Sequence, residues 1–361
     1  MTSELIMKVW NNERLQIYLS HYYQLLRHQT TAFYLRCKSI PVDFNTLAPI
    51  DRLWSLHDQT QQQFSSFQNS QFCEPKQTSY LDLKLTIACR MLEYCKFCEN
   101  QCHVNRINGH RGKCGISDES FVSSAFLHFG EEAPLVPSGT IFFAGCSFDC
   151  IFCQNSDISS AGKTIPVENA GDHVTPKQLA RIANYLATGG ALNINYVGGD
   201  PTPNIHTILA SLKFQNDNIC QLWNSNFYNT DLILRLFADV IDLWLPDFKY
   251  GNNQCAQELS GIQQYWNIIT RNFKYIYTHG SKSIIIRHLV MPNHIECCSK
   301  PILNWIATHV PHCVINIMNQ FHPTRRVASG RKDLNRKVTP AEMNELYSLA
   351  DRLDLEYKSV S

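Results

Sequence analysis

The 361 residues are 44% hydrophobic and only 17% charged, enough apolar material for a substantial core in one large domain or two unequal ones. A formal net charge of +1 excludes a general electrostatic case for nucleic acid or an anionic membrane surface as partner. The opening segment MTSELIMKVWNNERLQIYLS lacks the pattern of a secretory signal, and the apolar run at 283–292 is broken by Arg287 and His288, so the chain is expected to be soluble and cytoplasmic.

Residues 1–80 read as a helical N-terminal extension, with Leu15, Tyr18, Leu19, Tyr22, Leu25 and Leu26 at helical spacing. The polar stretch 59–77 (QTQQQFSSFQNSQFCEPKQ) is expected to be a linker or loose loop. A cysteine-rich segment, 81–135, comes next. From 136 to 325 strand candidates at 140–144, 192–197, 219–223, 240–245, 283–290 and 314–318 alternate with stretches long enough for helices. Thr175-Pro176-Lys177-Gln178 carries the N-cap, first-turn proline and capping-box glutamine of one such helix, with Leu179, Ile182, Ala183 and Leu186 as its apolar face. Thr339-Pro340-Ala341-Glu342 opens a closing helix by the same logic, within a C-terminal region 326–361. Near-continuous apolar strands alternating with helices predict an α/β fold with a parallel sheet, either open or a complete or partial barrel, whose strand ends converge on one mouth.

Fifteen cysteines require explanation by disulfides, metals or burial, and the missing export signal argues against disulfides. Seven fall into two groups, Cys95/Cys98/Cys102/Cys114 and Cys146/Cys150/Cys153. Cys37, Cys73, Cys89, Cys220, Cys255, Cys297, Cys298 and Cys313 are scattered and read as small buried hydrophobes.

In GCSFDCIFCQN the three cysteines stand three and two residues apart, on a short loop that can wrap one cluster. A cubane has four irons, so three cysteines leave one iron open to a substrate or cosubstrate. Three buried thiols, or a zinc site borrowing a fourth ligand, are the competing readings. The loop resembles the radical S-adenosylmethionine superfamily, whose motif is C-x3-C-x2-C with an aromatic before the last cysteine, here Phe152, directly after the first core strand. The resemblance covers about residues 140–320 and implies a partial (βα)6 TIM-like barrel. It also implies a [4Fe-4S] cluster on Cys146, Cys150 and Cys153, S-adenosylmethionine as cosubstrate, and oxidoreductase-type radical chemistry fed by a donor such as flavodoxin or ferredoxin.

Later segments extend the likeness. Gly198-Gly199-Asp200 is similar to the family's Gly-Gly-Glu segment, which binds the amino group of the methionine moiety, with aspartate in place of glutamate. A carboxylate suits an ammonium, and glycine lets backbone approach closely. Asp247-Phe248-Lys249 and the strand-borne Arg287 are similar to segments of glycyl-radical-enzyme activases, with Arg287 suited to the cosubstrate carboxylate and an ion pair of Lys249 and Arg287 with Asp247 as the structural alternative. Asn224, in Trp223-Asn224-Ser225-Asn226, is a weaker candidate for ribose or methionine contacts. More narrowly, the chain resembles pyruvate formate-lyase activating enzyme-like proteins.

The group Cys95/Cys98/Cys102/Cys114 is a metal signal that suits structural zinc or a second cluster, with Cys89 and His103 as substitute ligands. It precedes the radical loop, unlike the extra clusters of those activases that carry them after it. The expected activity is therefore cleavage of S-adenosylmethionine and hydrogen abstraction from a protein or peptide, from a small molecule instead, or, if the radical site has decayed, mere electron transfer or binding. No general base is nominated.

Overall fold

The computed structural model describes residues 9–66 and 78–360. Its strands are β1 (Phe121–His128), β2 (Ser138–Phe143), β3 (Asp172–His173), β4 (Asn193–Gly198), β5 (Cys220–Ser225), β6 (Leu243–Pro246), β7 (Ile285–Leu289) and β8 (Val314–Met318). β2, β4, β5 and β6 pair in parallel in that order, β7 pairs in parallel with β8, and parallel bridges Trp244↔Ile284 and Asp247↔Arg287 join the two sets. The result is a six-strand parallel array that curves without closing, the expected partial (βα)6 barrel. Its strands are mostly buried, and flanking helices cover the outer face.

The helix Pro176–Thr188 begins on the reciprocal Thr175–Gln178 capping box and buries Leu179, Ala183 and Leu186 against the sheet. Trp223 and Trp244, almost wholly buried in β5 and β6, each contribute about 1.5–3 kcal/mol of hydrophobic stabilisation. Beyond β2 the sheet continues with β1 and the two-residue β3, both antiparallel. These two were not expected, because β1 shows no clean alternation: its exposed Ser123 and Ser124 sit beside a register shift.

The helices Glu13–Tyr18 and Ser20–Leu26, broken at Leu19, carry the expected apolar stripe. The expected loose stretch 59–77 is helical in its first part, within Ile50–Ser66, and 67–77 lies outside the described residues. Its glutamines are good helix formers, and Phe64 packs against Phe33, so tertiary contact outweighs low complexity. These N-terminal helices cover the amino ends of the barrel strands. Asp242, just before β6, accepts the Phe33 N–H and faces His21 Nε2, both at 2.8 Å. Deeper in, the fully buried Lys84 pairs with Asp239 at 3.2 Å, which also accepts from Tyr80 at 2.9 Å, while Lys84 Nζ meets His57 Nε2 at 2.9 Å.

Candidate functional site

Cys146, Cys150 and Cys153 lie on the loop that leaves the carboxyl end of β2, and all three are free thiols. Donors surround their sulfurs: Ser260 Oγ reaches Cys150 Sγ at 2.8 Å, the Phe148 N–H reaches Cys146 Sγ at 3.4 Å, and Ser159 Oγ lies 3.3 Å from Cys153 Sγ. Burial pushes the Cys146 and Cys150 thiols up, and each feels the charge of a neighbouring cysteine. Three thiols on one short loop, each with a hydrogen-bonding neighbour at its sulfur, fit a [4Fe-4S] cluster. The Phe152 ring is buried between Tyr250 and Phe321, so it anchors the loop to the core.

Gly198 and Gly199 bring the end of β4 against this loop. Gly198 has φ +130°, and a Cβ there would meet the Phe143 backbone at 2.2 Å; one at Gly199 would meet the Gly145 carbonyl at 2.2 Å. The glycines thus permit backbone contact with β2 and the cysteine loop. Asp200 is buried beneath that loop, accepting from Asn226 Nδ2 at 2.8 Å, Thr202 Oγ1 at 3.2 Å and Ser147 Oγ at 3.3 Å. Burial raises its carboxyl to about 7. Asn226 Nδ2 also points at Cys146 Sγ, 3.8 Å away, so a chain of polar contacts runs from Asp200 to the first cysteine. Asn226 belongs to the segment expected to offer polar contacts to the cosubstrate; its contacts here are instead with Asp200, Ser147 and Cys146, because the fold brings the end of β5 beside the cysteine loop.

A cavity of about 500 Å³ fills the barrel interior, lined among others by Asn155 of the cysteine loop, Val197, Asn224, Arg287 and Asn316. Among the described residues the buried Asn224 Nδ2 has no hydrogen-bond partner, an arrangement that invites a ligand. Arg287 is engaged not by Asp247 but by Glu131 and Glu132, which rise from the β1–β2 connection; both Glu132 contacts are 2.7 Å. Burial opposes the Glu132 charge, but Arg287 and Asn316 outweigh it and hold the carboxyl below its usual range. Lys249 pairs with Asp247 at 2.5 Å; burial opposes its charge, which Asp247 and Cys150 more than offset. Of the expected site residues, Asn224 and Arg287 line the cavity, whereas Asp200, Asp247 and Lys249 gather around the cysteine loop.

The segment with Cys95, Cys98, Cys102 and Cys114 adjoins the same loop. The Cys114 carbonyl accepts the Cys146 N–H at 3.2 Å, and Asn100 Nδ2 donates to the Ser147 carbonyl at 2.9 Å. Cys95 and Cys102 lie within electrostatic reach of each other, as do Cys98 and both Cys114 and Cys102. A further Cys/His group, Cys255, His294, Cys297 and Cys298, is drawn together on the loops after β6 and β7. From sequence its three cysteines read as buried apolar residues; the local signal is His294 three residues before Cys297-Cys298, while Cys255 stands some forty positions upstream and joins them only in the fold.

The sequence profile of the Radical SAM superfamily matches residues 140–306. A protein of Methanocaldococcus jannaschii, named uncharacterized protein MJ0674, is 40% identical over 342 residues, covering 94% of this chain and 98% of its own. The pyruvate formate-lyase 1-activating enzyme of Escherichia coli K12 is 24% identical over 157 residues, 42% of this chain and 60% of that enzyme, so the chain spans less than two thirds of it. Among solved structures, Streptococcus suis SuiB bound to precursor peptide SuiA is similar with a TM-score of 0.43 at 15% identity, over 59% of this chain and 46% of that one. With a curved parallel array, a three-cysteine loop at its carboxyl-terminal mouth and this pattern of kinship, the chain belongs to the radical SAM superfamily. It is a radical SAM enzyme, whose family uses a [4Fe-4S] cluster and S-adenosylmethionine. No helix among the described residues is long and apolar enough to cross a membrane.

Proposed function

We propose that the chain cleaves S-adenosylmethionine and directs the resulting radical at a protein or peptide, with glycyl-radical-enzyme activation as the precedent. The observation that carries this reading is the cavity: about 500 Å³, open along the seam between the β1–β2 connection (His128 to Ala133) and the end of β8 (Asn316 to Gln320). A cavity of that size suits one drug-sized ligand, and S-adenosylmethionine is one. A second reactant then reaches it through the seam, which an extended chain segment can enter. The likeness to an activating enzyme, whose name places its action on another enzyme, supports a protein target.

In this reading Cys146, Cys150 and Cys153 would hold the cluster. When bound, the cluster supplies the electron that breaks the sulfonium carbon–sulfur bond and releases a 5′-deoxyadenosyl radical. Asn224 offers its amide to the cosubstrate, Arg287 with its two glutamates forms the charged floor, and the Gly198-Gly199 backbone brings the cosubstrate wall against the loop. Asp200 and Asn226 orient Cys146, and Lys249, held by Asp247, places positive charge beside the thiolates. The residues position and exclude water; none is asked to move a proton.

The test is anaerobic reconstitution, reduction and assay of 5′-deoxyadenosine, repeated with the macromolecular and the small-molecule fractions of a lysate from the source organism. Stimulation by the macromolecular fraction supports a protein or peptide target; stimulation confined to the filtrate establishes a small-molecule substrate instead. No product from a fully loaded cluster refutes the radical reading.

A further inference from the structure

We propose that Cys255, His294, Cys297 and Cys298 bind a structural zinc ion that staples the loop after β6 to the loop after β7. Tetrahedral zinc, with Zn–S about 2.3 Å and Zn–N about 2.0 Å, sets sulfur–sulfur edges at about 3.8 Å and nitrogen–sulfur edges at about 3.5 Å. The four side chains stand close to this tetrahedron. Cys255 and Cys297 sulfurs are 3.8 Å apart, and Cys297 and Cys298 sulfurs 3.9 Å. His294 Nδ1 lies 3.3 Å from Cys297, 3.6 Å from Cys255 and 3.9 Å from Cys298. Apolar packing alone gives four donor atoms no reason to converge on one point.

The surroundings fit a closed structural site. Cys255, His294 and Cys298 are buried, and four protein ligands leave no open position. A soft set of three thiolates and one imidazole selects zinc over the oxygen-seeking cations, and spacings this short suit a single ion rather than a cubane, whose ligands sit on separate irons. Binding Zn²⁺ releases three thiol protons and leaves a net charge of −1. Asn252 answers that charge by donating to Cys255 Sγ at 3.3 Å, and the same amide holds the Cys297 carbonyl at 2.8 Å. With Nδ1 on the metal, the His294 Nε2–H faces Asp333, 3.9 Å away, the outer carboxylate that zinc-bound histidines commonly have. The backbone is shaped for the contact as well. Ile295–Ser299 forms a π-helical turn that places Cys297 and Cys298 side by side, and Gly251 is required because a Cβ would stand 2.6 Å from the Cys297 carbonyl oxygen.

The staple also reaches the cysteine loop. Cys255 lies in the first turn of the helix Asn253–Ser260, whose other end donates Ser260 Oγ to Cys150 and accepts the Ile151 N–H at the Leu259 carbonyl, 2.9 Å. The ion therefore fixes the helix that cradles the radical loop, while its existence does not depend on radical chemistry.

The experiment uses the full chain as purified anaerobically. Zinc is measured by mass spectrometry, and cysteines are alkylated with N-ethylmaleimide before and after treatment with the chelator TPEN, then mapped by peptide. Cys255, Cys297 and Cys298 are expected to be protected until chelation and modified after it, with release of one zinc per chain. Absence of zinc, equal modification with and without chelator, or a disulfide among these residues overturns the proposal. In a second arm Cys297→Ser is expected to lose one zinc per chain and keep its iron; full zinc retention there likewise overturns it. Mapping by peptide separates this site from Cys95, Cys98, Cys102 and Cys114, and the wild-type arm stands whether or not the variant folds.

Discussion

The two rims of the barrel solve opposite problems. At the amino-terminal rim the N-terminal helices bury Lys84, Asp239, Tyr80 and His57 in one mutually satisfied network, and burial with the Lys84 charge holds His57 neutral. At the carboxyl-terminal rim three free thiols are held among isolated donors, a carboxyl is pushed to about 7, and Asn224 Nδ2 has no hydrogen-bond partner among the described residues. Polar groups at the first rim complete one another, whereas the second keeps three thiols and one amide nitrogen open to a ligand. In α/β arrays stability and chemistry separate between rims in this way, since loops after the strands can vary without disturbing the sheet.

Substitutions can break that contrast from either side. Cys150→Ala should abolish 5′-deoxyadenosine formation altogether, measured anaerobically after reconstitution. Lys84→Met should leave Asp239 buried without its counter-charge and destabilise the fold by about 3–5 kcal/mol in chemical denaturation, with product formed per folded molecule unchanged. Asn224→Ala should remove one hydrogen bond, about 1 kcal/mol, and weaken S-adenosylmethionine binding roughly five-fold in a titration, with no change in melting temperature. The smallest effect belongs to neither rim. Glu342, in the capping box of the closing helix Pro340–Arg352, has its carboxyl held down to about 2 by Arg336 and the Thr339 donors. A depressed carboxyl stabilises above its ordinary range, near 4.5, and loses that contribution as pH falls toward 2. Glu342→Gln should therefore flatten stability between those pH values, by about 1 kcal/mol or less.

Local features of this molecule were legible in the chain. The cysteine loop, the six core strands and the capping boxes at Thr175 and Thr339 each rest on residues within a few positions of one another, where spacing alone carries the physics. What escaped was assembled across distance. Arg287 is paired not with the nearby Asp247 that the sequence offers but with Glu131 and Glu132, which lie far upstream and meet it only when β7 curves toward the β1–β2 connection. Asn226 gained its role from the neighbouring cysteine loop, and Cys255 joined His294, Cys297 and Cys298 only because loops after adjacent strands share a rim. The helix within 50–66 was obscured for the opposite reason, a polar composition whose helicity is secured by packing.

An unclosed array exposes two sheet edges, and here each is covered over part of its length. One edge shrinks to the two-residue β3; at the other, the Glu356 carbonyl accepts the Ile315 N–H at 2.9 Å, and a bridge links Val314 to Glu356. Short or covered edges resist pairing with stray chains. At β8 a visitor arriving at the seam consequently finds the Ile315 N–H already taken, so its selection rests more on amino-acid identity than on a willingness to become β-structure.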